Sequence, residues 1–170
     1  MPELYQKNSH CSYCGTPFPQ DAPWPRRCAH CGNITYSNPL PVSVVLLPID
    51  DTGLLLVRRT QEPQAGRWAL PGGFIETGET WQEAGAREVF EETGYRVDPA
   101  GITLFDTRSA PDGTLLVFGL APAQSSRSLP PFTASSETSE AMTATGPMDL
   151  AFSTHTETAD RYWKEIASHD

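Results

Sequence analysis

Four cysteines, Cys11, Cys14, Cys28 and Cys31, are the only ones in this 170-residue chain, and they fall in two Cys-x2-Cys pairs with thirteen residues between them. Each pair is followed by a glycine, Gly15 or Gly32. Glycine there lets the backbone turn tightly, so that its amides face the thiolates. Two such knuckles supply four sulfurs in a tetrahedron, which suits zinc. Two disulfides are the other reading. A reducing compartment disfavours them, and pairing within Cys-x2-Cys would require a redox motif twice over. His10 and His30 adjoin the cysteines and are expected to be bystanders, since four thiols already fill a tetrahedral shell. The segment 8–36 is too short for a core of its own, so metal is expected to supply its folding energy. A closed four-thiolate shell leaves no open position, which makes the role structural.

Compartment and composition narrow the rest. No apolar run approaches the roughly 18 residues a spanning helix needs. The first residues, Met1-Pro2-Glu3-Leu4-Tyr5-Gln6-Lys7, lack the basic start and apolar stretch of a signal peptide. A cytoplasmic protein with no membrane partner is the expectation. Lys and Arg number 12 against 21 Asp and Glu, a net charge of −9. Such a chain does not attract nucleic acid through bulk electrostatics. A small anionic substrate would need a local basic patch or bound cations. Hydrophobic residues at 38% suit one folded domain with a small appendage.

Beyond residue 38 the pattern is α/β. Val42–Leu47 and Leu54–Arg59 flank Asp50-Asp51-Thr52-Gly53 and predict a hairpin. Trp68–Leu70 is short and extended. Thr80 to Thr93 predicts a helix, with Thr80 and Glu83 as a capping box and Gly94 as its stop. Ile102–Thr107 and Leu115–Leu120 predict a second hairpin around Pro111-Asp112-Gly113. Ala121–Pro147, rich in Ser, Thr, Ala and Pro, reads as a long loop. Thr156–Ser168 reads as a last helix.

On the first helix, Glu88, Glu91 and Glu92 stand at i, i+3 and i+4, within one arc of about 100°. Ala86, Val89 and Thr93 lie roughly opposite and can face a core. Like charges at these spacings repel, so the arc invites a divalent cation, and hard oxygen ligands suit Mg²⁺ or Mn²⁺. Arg87, four residues before Glu91, can pair with it. A solvated acidic face is the alternative for three glutamates taken alone.

The flanking residues make the pattern specific. Gly73, Glu79, Arg87, Glu88, Val89, Glu91, Glu92 and Gly94 match the Nudix box at every spacing, and only the final aliphatic position differs, as Tyr95. Gly66–Gly73 also resembles the family's approach to the box. The stretch from about 38 to 168 is thereby identified as a member of the Nudix family. The two knuckles followed by Tyr36-Ser37-Asn38-Pro39 resemble its zinc-ribbon-bearing members.

The resemblance implies an α/β/α sandwich with a mixed sheet over 38–170, preceded by a zinc ribbon over 1–37. It implies hydrolysis of a nucleoside diphosphate linked to another group. Glu88, Glu91 and Glu92 would hold Mg²⁺ or Mn²⁺, with Glu79 supporting them and Arg87 fixing Glu91. Arg58 or Arg59 would clamp a phosphate, beside Gly72 and Gly73. The general base is expected from a mobile downstream loop that closes over substrate: Glu140 first, Glu137 in reserve.

ADP-ribose, FAD or a similar ADP-containing dinucleotide is the expected substrate. Nothing between Tyr95 and Ala121 resembles the Ser-Gln-Pro-Trp-Pro-Phe-Pro array of NADH-cutting members, while Pro111 stands sixteen past Tyr95, as in ADP-ribose cutters. The alternative is a zinc-ribbon protein that binds RNA and acts on caps. The −9 charge and the sparse basic residues Lys7, Arg26 and Arg27 speak against nucleic acid. A homodimer is compatible with the family.

Overall fold

The computed structural model describes residues 7–50 and 53–167. The chain divides into two compact units, Met1–Pro39 and Leu40–Asp170. In the first, strands β1 (Arg26–Arg27) and β2 (Ile34–Thr35) pair antiparallel. Cys11, Cys28 and Thr35 are its only buried described residues, so there is no apolar core to hold it.

The second unit runs β3 (Leu40–Leu46), β4 (Pro48–Ile49), β5 (Gly53–Arg59), β6 (Trp68–Ala69), β7 (Gly72–Phe74), α1 (Trp81–Thr93), β8 (Thr103–Ser109), β9 (Thr114–Leu120), β10 (Thr138–Ala144) and α2 (Ser153–Ala167). One sheet is mixed, in the order β7-β3-β9-β8, with β3 and β9 parallel and the outer pairs antiparallel. The other is antiparallel, in the order β10-β5-β4, with β6 also on β5.

Strand alternation sends successive side chains to opposite faces. Val44, Leu46, Leu54 and Leu56 pack with Ala159, Tyr162 and Trp163 of α2. Val45, Leu47 and Leu55 pack with Ala86 and Val89 of α1. The strands thus lie between two helices in an α/β/α sandwich. Both strands read as unbroken apolar runs because both of their faces are covered. No helix among the described residues is long and apolar enough to cross a membrane.

Two expectations are corrected. Val42–Leu47 does not form a full hairpin with Leu54–Arg59. β3 pairs with β7 and β9, and only Pro48–Ile49 pairs with Gly53–Leu54. Pro48 has no amide to continue the ladder of β3, and the chain passes there to the other sheet. Asp51 and Thr52 of the expected turn lie outside the described residues, as does Ser168. The second correction is β10, which occupies part of the stretch read as a loop. Its Thr, Ser and Ala give a weak local signal, and its register comes from β5, far away in sequence. The hairpin of β8 and β9 forms as expected.

Candidate active site

Helix α1 fixes the acidic residues from its first turn. The Thr80 side chain accepts from the Glu83 amide at 3.2 Å, and the Glu83 carboxylate accepts from the Thr80 amide at 2.7 Å. Buried Ser43 on β3 donates to the Trp81 carbonyl at 2.8 Å. Gly85 lets the helix lie against that strand, where an added Cβ would stand 2.7 Å from Val45 and 2.9 Å from the Ser43 hydroxyl. Gly94 closes the helix at φ 76°, its amide bonded to the Phe90 carbonyl.

The helix does not present its three glutamates alike. Glu88 and Glu92 are buried, whereas Glu91 is exposed at the rim. Glu92 accepts from the Gly72 amide at 3.1 Å. Gly73 leaves room for the Glu88 carboxylate, which a Cβ there would strike. Glu137 completes the group: Glu88, Glu92 and Glu137 bring carboxylate oxygens within 4.8 Å of one another. The turn carrying Glu137 is tied down on both sides. The Thr60 amide donates to the Glu137 carbonyl at 2.9 Å, and buried Thr138 donates its hydroxyl to the Glu92 carbonyl at 2.6 Å.

Burial pushes the Glu92 carboxyl up to about 8, against the Gly72 amide that favours its charge, with Glu88 and Glu137 adding repulsion. Burial also raises Glu88, against the pull of Arg87. A trio of hard oxygen donors, two of them desolvated and repelling, fits a divalent cation, which would relieve both penalties.

Arg87 is the local counterweight. It reaches Glu79 at 2.8 Å, Glu88 at 2.7 Å, Glu91 at 3.1 Å and the Phe74 carbonyl at 3.0 Å. Its bond to Glu79 keeps that carboxylate below its ordinary range and raises Arg87 further. Glu79 also accepts from the Glu76 amide at 2.7 Å, so it braces Arg87 and the preceding loop. It is not in the carboxylate trio.

A cavity of about 390 Å³ opens over the trio, with Arg59, Gln61, Gly72 and Gly73 on its wall. Arg59 therefore stands at the site and Arg58 does not. Arg58 pairs with Glu140 at 2.9 Å on exposed surface. The two downstream acids are placed differently. Glu140 lies within β10, beside Arg58 in register, while Glu137 in the preceding turn reaches the cavity. The mobile loop expected there is, at 135–138, a hydrogen-bonded turn on Thr60 and Glu92. Gln61, on the wall of this cavity, has no local signal in the sequence that marks it for the site.

In the ribbon unit all four cysteines are unbridged and come within 4.8 Å of one another. Cys11 and Cys31 are 3.7 Å apart, and Cys14 and Cys28 3.6 Å. Zinc–sulfur bonds of about 2.3 Å in a tetrahedron put sulfurs about 3.8 Å apart, so the thiols fit zinc. Gly15 and Gly32, at φ 72° and 75°, close matching turns onto the Cys11 and Cys28 carbonyls, each at 3.0 Å. The Tyr13 amide lowers the Cys11 thiol to about 6, whereas Cys31, despite the Asn33 amide, is pushed up to about 11 by burial and the neighbouring thiols, so the cluster does not carry four thiolates without a cation.

A family model described as NUDIX domain matches residues 39–163. The NAD-capped RNA hydrolase NudC of Shigella flexneri is 37% identical over 98 residues, 57% of this chain and 37% of that protein. The chain thus aligns with little more than a third of that relative's length. A crystal structure of a NUDIX hydrolase from Nitrosomonas europaea superposes with a TM-score of 0.74 at 28% identity, covering 94% of this chain and 93% of the other. A MutT/nudix family protein from Enterococcus faecalis gives 0.57 at 27% identity, over 64% and 44%.

Proposed function

Since the chain belongs to the NUDIX family, we propose that it is a divalent-metal-dependent pyrophosphohydrolase, which cleaves the diphosphate of a nucleoside diphosphate linked to another group. The observation that carries this reading is the convergence of Glu88, Glu92 and Glu137 under a cavity walled by Arg59, Gly72 and Gly73. Glu88 and Glu92 would hold Mg²⁺ or Mn²⁺, with Glu91 at the rim. Bound there, the cation would neutralise charge on the diphosphate and ease proton loss from water. Arg59 draws a phosphate oxygen, and the open backbone at Gly72–Gly73 lets the diphosphate approach closely. Arg87, held by Glu79, keeps Glu88 and Glu91 in place. Glu137 takes the proton of the attacking water. It is exposed to the cavity and less encumbered than the two buried carboxylates. The unit carrying Cys11, Cys14, Cys28 and Cys31, over 1–37, is a structural zinc ribbon.

The substrate is an ADP-containing dinucleotide or ADP-ribose. A second reading, NAD-capped RNA, is favoured by the curated relative's name. The exclusion of nucleic acid drawn from net charge has no support from that relative and is dropped. Turnover of ADP-ribose, FAD, NADH and NAD-capped RNA, with Mg²⁺ or Mn²⁺, tests both. Metal-dependent cleavage of a free dinucleotide or ADP-ribose supports the first, and cleavage of capped RNA alone supports the second. No turnover of any of them sinks the reading.

A further inference from the structure

A second cavity, of about 340 Å³, shares Arg59, Gln61, Gly72 and Gly73 with the one over the carboxylates. Val42, Val44, Leu70, Leu116 and Phe152 give it an apolar lining, and His155 of α2 is among its walls. Glu62 and Asp112 also border it. The Asp112 carboxylate accepts from the Thr114 amide at 3.0 Å and the Thr114 hydroxyl at 2.7 Å. Arg59 stands over the Phe152 ring at 5.2 Å and borders both cavities.

His155 is 6% exposed, and its imidazole sits 5.7 Å from the Phe118 ring and 5.1 Å from that of Phe152. Its Nδ1 has no hydrogen-bond partner. Thr158 Oγ1 and Asp160 Oδ1 on the same helix also lack partners, but of the three residues only His155 borders the cavity. Burial, with Arg59 nearby, pulls the imidazole down to about 3, so it is neutral at physiological pH. A buried polar ring left unpaired costs stability that a packed phenyl ring would not. The apolar lining suits a ring system, and it disfavours a charged one, which would lose its hydration there.

We propose that His155 is a specificity-determining residue, whose imidazole hydrogen-bonds the edge of an uncharged heteroaromatic ring seated in this cavity. The proposal rests on the reading of the neighbouring carboxylates as a diphosphate-cleaving site, since the shared wall lets a ring here connect to a diphosphate there. Adenine and a reduced nicotinamide share the required chemistry.

The test is metal-free binding to the full chain of three probes: AMP, reduced nicotinamide mononucleotide and ring-free ribose 5-phosphate. Imidazole ¹⁵N resonances are followed, with His155 assigned through its contacts to the Phe118 and Phe152 rings. At least one ring-bearing probe should shift the His155 signal, and which one does so identifies the ring. Ribose 5-phosphate should leave it in place. His155→Phe, which keeps a flat ring, should weaken the ring-bearing probe about tenfold and leave ribose 5-phosphate unchanged. The parent protein's spectrum decides the matter even where the variant does not fold. No shift from either ring-bearing probe at its highest soluble concentration overturns the proposal. So does equal affinity of parent and a folded variant. Turnover is not used, so an absence of hydrolysis would count against the carboxylate reading alone.

Discussion

The ribbon and the carboxylate site both gather side chains suited to a cation, but they are built in opposite ways. The thiols come from one short stretch, Cys11 to Cys31, closed by two near-identical turns in a unit whose buried described residues are Cys11, Cys28 and Thr35. There a bound metal would be what makes folding favourable. The carboxylates come from α1 and from a turn some fifty residues later, inside a unit with a double-sided apolar core. There the core forces the donors together despite desolvation and mutual repulsion. In the first region a cation would organise the chain, and in the second the chain is organised before any cation arrives.

Breaking the ribbon is therefore the harshest test. A Cys11→Ser variant, or removal of zinc by a chelator, should abolish about one equivalent of bound zinc and collapse the ribbon, since zinc supplies about 10–16 kcal/mol in comparable peptides. Amide spectra should lose dispersion for residues 7–37 while those of the sheet unit persist. Collapse of both units together would erase the contrast.

Next comes Glu92→Gln, expected to lower kcat/KM on the order of 10²–10³-fold, as for other lost electrostatic groups. It should leave the cation-free melting temperature equal or higher, because a desolvated carboxyl that must take up a proton on folding is replaced by a neutral amide. A fall in both would mean that Glu92 holds the fold together. Glu137→Gln should lower kcat by about 10²-fold, at the lower end for a lost base, with KM nearly unchanged. Glu140→Gln should stay within about threefold of the parent and cost at most about 1 kcal/mol, as for an exposed ion pair. Reversal of those two would restore Glu140 as the base.

The smallest effect is on stability against pH. Glu92, raised to about 8, binds a proton in the folded chain over a range where the unfolded chain has released it. Its contribution is complete below the ordinary glutamate range, near 4.5, and is lost as pH rises through about 8. Without cations the melting temperature should fall over that interval, and it should fall less in Glu92→Gln or with Mg²⁺ present. An identical slope in parent and variant would remove Glu92 as the cause.

What the sequence disclosed follows from the same contrast. The ribbon was legible because its donors are neighbours and each knuckle is a local turn. The carboxylate helix was legible for the same reason, down to the Thr80–Glu83 cap and the Arg87–Glu91 pair. The split between inward Glu88 and Glu92 and outward Glu91 was not, since spacing places all three in one arc and only the packing around α1 chooses among them. The placement of Glu137 beside Glu88 and Glu92 is not legible from sequence for a related reason. Its position depends on β10, whose weak strand residues take their register from β5. His155 carries no local mark at all, because its significance comes from a cavity bounded by residues from several distant segments.

The hydroxyl of Thr138, bonded to the Glu92 carbonyl, has a consequence for the order of assembly. Helix α1 and its capping box are local and cost little to close, but Glu137 arrives only with the pairing of β10 and β5, a contact of long sequence separation that is entropically slow. A chain still emerging from the ribosome thus carries two of its three acids in place and lacks the third. The proposed base should therefore be the last part of the site to arrive, coincident with the docking of the last strand. Hydrolytic competence then becomes a kinetic readout of completed folding.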